Sequence, residues 1–187
     1  TNEPYAIAKI AGIKMCENYY RQYGNEFISV MPTNLYGPND NYDLETSHVL
    51  PALIRKFSTA VTNQSKKVTI WGTGSPKREF LHVDDMANAC IYIMENVTAN
   101  QLYEELNLTH LNIGSGKEIT IKGLAELIMQ KAGFNGELQF DKSKPDGTPR
   151  KLLDSSTLSS LGWAPIVSLE DGIKMTLNDF SQLNLAS

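Results

Sequence analysis

Tyr5 and Lys9 stand four residues apart in the opening stretch TNEPYAIAKIAGIKMCENYY. On a helix, residues i and i+4 share a face, so the lysine ammonium can lie near the tyrosine phenol. A nearby cation favours phenolate, and a phenol whose ordinary pKa is about 10 needs such help to move a proton near neutral pH. The same short spacing also describes a surface pair with no role. Other groups capable of chemistry are sparse. Asp84 and Asp85 are adjacent carboxylates at an expected helix start, where such residues cap. No His or Cys cluster has metal-ligand spacing, so metal catalysis is disfavoured and no residue is assigned to a metal. GTGSPK and IGSGKE are glycine-rich but lack the Lys-Ser/Thr that follows in a phosphate loop, and both read as ordinary turns.

The elements that must position these groups alternate between strand and helix. Pro4 suits a helix start and Gly24 a helix end, with Ile7, Ile10, Ala11, Met15 and Tyr19 among the apolar positions between them. EFISVMP is short, β-rich and free of charge after Glu26, as a strand covered on both faces would be, and Pro32 ends it. A loop, PTNLYGPNDNYDLETS, leads to a helix around HVLPALIRKF, where Pro51 suits the first turn. KVTIW is a strand, REFLHV a second extended piece, and Asp84 is expected to cap the helix DMANACIYIMENV. HLNIG predicts a strand, TIKGLAELIMQKAG an amphipathic helix and GELQFD another strand. KSKPDGTPRK is then a charged loop; Asp154 can cap SSTLSSLG, and Ser168 with Asp171 resembles a capping box. The alternation points to α/β architecture.

Composition sets outer limits. The chain has 187 residues, 41% hydrophobic and 20% charged, enough for one well-buried core and a second small one. A net charge of −4 gives no footprint for nucleic acid, and no apolar run approaches the ~20 residues needed to span a bilayer. Nucleic-acid and membrane partners are therefore not expected. Cys16 and Cys90 lie far apart in helical patterns, as buried thiols in a reducing compartment would, and the cytoplasm is the expected location. Asn63-Gln-Ser, Asn96-Val-Thr and Asn107-Leu-Thr match the glycosylation triplet, by accident on this reading. The chain does not open on methionine, and TNEP reads as a loop tail feeding a helix.

Tyr5-x-x-x-Lys9, then PTNLYGPND after a strand, then WGTGSPKREFLHVDDMA, resemble in order and spacing the extended short-chain dehydrogenase/reductase family of nucleotide-sugar enzymes. MPTNLYGPNDNY, SHVLPALIRKF, REFLHVDDMA and PDGTPRKLLD are similar to the branch that epimerises and then reduces a GDP-4-keto-6-deoxy sugar. The likeness runs from Tyr5 to about the final helix. It implies the carboxy-terminal part of a Rossmann-like doubly wound parallel sheet plus a smaller α/β substrate-binding domain. Residues 1–45 would be a remnant of the NADP-binding domain and 46–187 mainly the substrate domain, with about 80–100 returning to the first. A glycine-rich cofactor turn, a serine and an epimerisation cysteine would precede Tyr5, so the chain is expected to be the carboxy-terminal piece of a longer enzyme.

The resemblance also implies roles. Tyr5 would protonate the C4 oxyanion as hydride arrives from NADPH, and Lys9 would hold the nicotinamide ribose. His48 would be the acid that reprotonates the enolate during epimerisation at C3 and C5, and would also border the cofactor; at a helix start, resident positive charge is disfavoured. A capping or buried histidine is the other reading, and His82 and His110 are read as structural. Pro32, Thr33, Asn34 and Leu35 would line the nicotinamide. The diphosphate of a GDP-sugar calls for cations: Arg78 and Lys56, with Arg55 turned away, and Lys151 from the charged loop. Trp71 would pack on sugar or base, or else be core. A homodimer is implied through the Tyr-x-x-x-Lys helix. Two alternatives stay open, a UDP- or dTDP-sugar enzyme in which His48 is dispensable, and a nucleotide-sugar-binding module without turnover.

Overall fold

The computed structural model describes residues 3–185; Thr1 and Asn2, expected as loop tail, lie outside the described residues. The chain opens with helix α1 (Glu3–Tyr23), followed by strands β1 (Val30–Pro32) and β2 (Asn34–Tyr36) and helix α2 (Val49–Thr62). Strands β3 (Lys67–Trp71) and β4 (Lys77–His82) precede α3 (Val83–Asn96) and a π-helical turn at Gln101–Glu105. Then come β5 (Leu111–Ile113), β6 (Glu118–Thr120), α4 (Ile121–Ala132), β7 (Glu137–Asp141), β8 (Arg150–Lys151), α5 (Ser156–Ser160) and α6 (Leu169–Leu185).

The α/β class is as expected, and the pairing is mostly parallel. β1 runs parallel to β5, with Val30 opposite Leu111, and β3 parallel to β7, with Ile70 opposite Phe140. β4 is shared between two neighbourhoods. Phe80–His82 pair in parallel with β2, while Lys77–Glu79 pair antiparallel with β6 and Lys77–Arg78 parallel with β8. The strands thus form two two-stranded ladders and one four-stranded sheet.

Two apolar cores flank β4. In α2, Leu50, Leu53, Ile54 and Phe57 recur at helical spacing and are buried against Leu124 and Ile128 of α4, Ile173 and Phe180 of α6, and Val68 and Ile70 of β3. The second core joins Leu81, Ala89 and Ile93 to Leu102, Leu111, Ile113, Leu158 and Trp163. Caps follow local chemistry. Thr120 accepts the Gly123 N–H at 2.9 Å to start α4, and Gly133, in the left-handed region at φ 72°, closes it. The Ser168 hydroxyl accepts from the Asp171 N–H at 3.1 Å, as in the expected box, but the Asp171 carboxylate takes the Ser168 hydroxyl at 2.7 Å, the reciprocal bond from the Ser168 N–H not being made among the described residues.

Several expectations need correction. The strand in EFISVMP is confined to Val30–Pro32, and Met31 and Pro32 are exposed rather than covered, because among the described residues only Val30 of this strand packs on an apolar core. Glu26 belongs to a loop, where its carboxylate accepts the Ala99 N–H at 2.7 Å. Asn34–Tyr36 and Arg150–Lys151, read as loop, are short strands, because β4 offers each of them a pairing edge. Asp84 does not cap α3: His82 does, its Nδ1 accepting the Asp84 N–H at 3.3 Å. Asp85 instead turns inward and accepts the Ile166 and Val167 N–H groups, each at 2.9 Å.

Candidate functional site

α1 brings Tyr5 and Lys9 together as its periodicity requires. The Lys9 ammonium lies 5.4 Å from the centre of the Tyr5 ring, and the phenol ring is 68% exposed. No hydrogen bond or ion pair ties either side chain to another described residue. His48 sits at the start of α2 with extended backbone; its side chain is exposed and makes no capping bond.

Thr33 and Asn34 are fixed from β4. The Asn34 amide donates to the Glu79 carbonyl at 2.8 Å, and the Thr33 hydroxyl reaches the same oxygen at 3.4 Å. The Glu79 side chain is fully buried: one carboxylate oxygen accepts the Gly116 N–H at 2.7 Å, and the other accepts the Leu153 N–H at 3.2 Å. A Cβ at Gly114 would collide with that carboxylate, so only glycine fits there. Glu79 therefore ties the Pro32–Leu35 segment, the IGSGKE turn and the loop after Lys151 to one point. Sequence reasoning missed it; the only local signal is a charge flanked by the apolar run FLHV.

The β4–β8 ladder sets two pairs of cations side by side. Lys77 is opposite Arg150, and Arg78 is opposite Lys151. Like charges directly opposite are unfavourable, and consecutive strand residues point to opposite faces. On one face the repulsion is relieved, because Glu118 on β6 pairs with Lys77 at 2.8 Å and with Arg150 at 2.6 Å. On the other face Arg78 donates only to the Lys77 carbonyl, at 2.7 Å. Among the described residues neither Arg78 nor Lys151 has an ion pair. An anion is what this face lacks.

Trp71 at the end of β3 is 62% exposed, which rules out the core reading. The ammonium groups of Lys56 and Lys144 lie 5.9 and 5.5 Å from its ring centre. Lys56 is half-buried and donates to the Thr69 carbonyl at 3.1 Å, and burial pushes its ammonium below the ordinary lysine range. Arg55, next to it, turns away and donates to the Tyr42 carbonyl at 3.0 Å. The GTG turn is held by Asp146, which accepts the Thr73 N–H at 2.6 Å and its hydroxyl at 2.8 Å; these bonds hold the Asp146 carboxyl below the usual range. Gly72, at φ 80°, leaves room for that carboxylate. Both glycine-rich turns are receptors for the protein's own carboxylates, and N–H groups in each are already taken.

His82 is buried and His110 half-buried, bonded at 3.0 Å to Thr109. Among the described residues no three His, Cys, Asp or Glu side chains gather as a metal site would require. No helix among them is long and apolar enough to cross a membrane.

Residues 1–114 match the NAD dependent epimerase/dehydratase family. The chain belongs to that family. Within it, the chain is 58% identical over 176 residues to GDP-L-fucose synthase 1 of Arabidopsis thaliana, covering 94% of this chain and 52% of that protein. It is 54% identical over 183 residues to GDP-L-fucose synthase of Escherichia coli (strain K12), covering 96% of this chain and 56% of the relative. The crystal structure of a GDP-L-fucose synthetase from Naegleria fowleri bound to NADP superposes with a TM-score of 0.88 at 29% identity, over all of this chain and 58% of that one. The chain thus spans about half the length of the epimerase/dehydratase relatives it matches.

Proposed function

We propose that this chain is the substrate-handling portion of an NADP-dependent enzyme that converts GDP-4-keto-6-deoxy-D-mannose to GDP-L-fucose by 3,5-epimerisation and 4-reduction. The geometric observation that carries the reading is the Arg78–Lys151 pair, two cations in register with no carboxylate partner among the described residues, beside a pair that has one. Such a face suits the diphosphate of a nucleotide sugar, with Arg78 able to take two phosphate oxygens and Lys151 and Lys56 acting as point charges. The similarity to GDP-L-fucose synthases supplies the identity of nucleotide and sugar.

On this reading, Tyr5 delivers the proton to the sugar C4 oxygen, and Lys9 favours the phenolate and holds the cofactor ribose. A reduced nicotinamide dinucleotide supplies the hydride when bound, and Thr33 and Asn34, held by Glu79, border it together with Pro32 and Leu35. His48, exposed at the start of α2 and free of any capping bond, returns the proton to the enolate. Residues 1–45 and the segment from about 80 to 100 would belong to a doubly wound cofactor domain and the remainder to the substrate domain. The exposed Ile7, Ile10, Met15, Tyr19 and Tyr23 of α1 suit the interface of a cytoplasmic homodimer.

The test uses the intact protein with a GDP-4-keto-6-deoxy sugar, NADPH and deuterated water. Tyr5→Phe is expected to lose most reduction while deuterium still enters C3 and C5; His48→Gln is expected to lose that deuterium incorporation. Product formation by His48→Gln at the wild-type rate would overturn the role of His48. Wild-type protein that binds UDP in preference to GDP would overturn the substrate.

A further inference from the structure

The indole of Trp71 is exposed at the end of β3, and two ammonium groups reach it from separate elements, Lys56 from α2 and Lys144 from the segment between β7 and β8. Lys144 is placed there by a turn anchored at both ends. Its own N–H donates to the Asp141 carbonyl at 3.2 Å, and Oδ1 of the Asp141 carboxylate accepts both the Ser143 N–H at 3.0 Å and the Ser143 hydroxyl at 2.6 Å. Two residues beyond Lys144, Asp146 holds Thr73. The charged loop thus runs past Trp71, past Thr73 and, at Gly147, past the Arg78 guanidinium, before pairing with β4 as β8. Lys144 has no ion pair among the described residues: of the two acids beside it in the chain, Asp146 is bonded to Thr73, and Asp141, whose Oδ1 accepts from Ser143, feels the Lys144 charge without a direct contact.

Two ammonium groups converging on one ring repel each other, and the ring offsets only part of that cost. The arrangement gains most when an anion joins it. Lys56 is anchored to Thr69, so its charge stays where it is, whereas Lys144 is exposed and can turn toward a ligand without leaving a buried partner unpaired. We propose that Lys144 is a further substrate-binding residue, which with Lys56 brackets Trp71 and takes a phosphate oxygen of the nucleoside diphosphate while the indole packs on its ring system. The inference rests on the GDP-sugar reading above and adds to it a residue and a division of labour: aromatic stacking at Trp71, charge at Lys144.

The experiment is calorimetric titration of the intact protein with GDP, GMP and guanosine, for the wild type, Lys144→Met, Lys144→Arg and Lys142→Met. Lys142 is a control, an exposed cation two residues away that touches no ring. Lys144→Met is expected to weaken GDP by about tenfold and guanosine by less than about twofold, with a shallower salt dependence. Lys144→Arg is expected to recover most of the GDP affinity, and Lys142→Met to stay within about twofold of wild type. Equal GDP affinity in Lys144→Met and wild type would overturn the proposal, as would equal losses from Lys142→Met. Failure of the wild type to bind GDP at all would instead overturn the GDP-sugar reading, a result seen before any variant is compared.

Discussion

Helices α1 and α2 stand at opposite ends in burial: one buries no residue, the other a full face. α2 buries six of its 14 residues, and its apolar face meets α4 and α6. α1 is longer, with 21 residues, and buries none; Ile7, Ile10 and Met15 are each more than half exposed. The helix that carries the Tyr5–Lys9 pair therefore contributes little to the internal packing of the described residues, while the helix that carries His48 and Lys56 anchors the larger core. The exposed apolar side chains of α1 are those assigned above to the proposed homodimer interface.

This contrast can be broken from either side. The largest effect is expected at Phe57, which is completely buried: Phe57→Ala should cost about 3–5 kcal/mol by urea unfolding. Ile10→Ala, on the exposed side of α1, should cost no more than about 0.5 kcal/mol in the same chain. Equal losses would mean that α1 is packed and that the contrast is false. A smaller effect is expected from Glu79→Gln, which keeps the size of the side chain but replaces one acceptor oxygen with a donor facing a backbone N–H. A loss of about 1–3 kcal/mol is expected, with backbone amide exchange at Gly116 or Leu153 accelerated ahead of the rest. Unchanged exchange at both would remove the Glu79 carboxylate as the tie between the IGSGKE turn and the loop after Lys151.

The smallest effect tests the neutralised cation pair. Hydrogen bonds from Lys77 and Arg150 hold the Glu118 carboxyl below the usual range. A lowered folded-state pKa gives stability that is present above the ordinary carboxylate range and lost as the pH falls through the lowered value. Glu118→Gln should therefore lower Tm at neutral pH by about 2 °C, the scale of an exposed ion pair. The difference from wild type should close as the pH drops below that range. A Tm difference that persists in acid would show that Glu118 acts through packing rather than charge.

Most helices and several caps were legible where the cause is local, although α3, expected to be capped by Asp84, is capped by His82. The four-residue spacing places Lys9 beside Tyr5, the apolar period of α2 selects its buried face, and Gly133 and Ser168 mark helix ends by their own conformational and hydrogen-bonding preferences. The family resemblance in Tyr-x-x-x-Lys and PTNLYGPND was legible for the same reason, since each motif is a short run of chain. Helix periodicity could not show that, among the described residues, α1 packs through Tyr20 while Ile7, Ile10 and Met15 stay exposed, because an apolar stripe reads the same whether or not anything covers it.

What only the tertiary structure decided lies in pairings across long separations in sequence. Arg78 and Lys151 are neighbours because β8 joins β4 in one register, and a shift of one residue would set Lys151 beside a different side chain and reverse its face. Glu79 became a tie point because three distant segments bring their N–H and amide groups to it, and Asp85 moved from an expected cap to a buried acceptor for residues 166 and 167. The sequence by itself determined which groups could cap, stack or carry charge, because propensity and periodicity act over a few residues. Which of those charges remain unpaired was left to the fold, since a carboxylate as far along the chain as Glu118 can neutralise Lys77 only once β4 and β6 lie side by side.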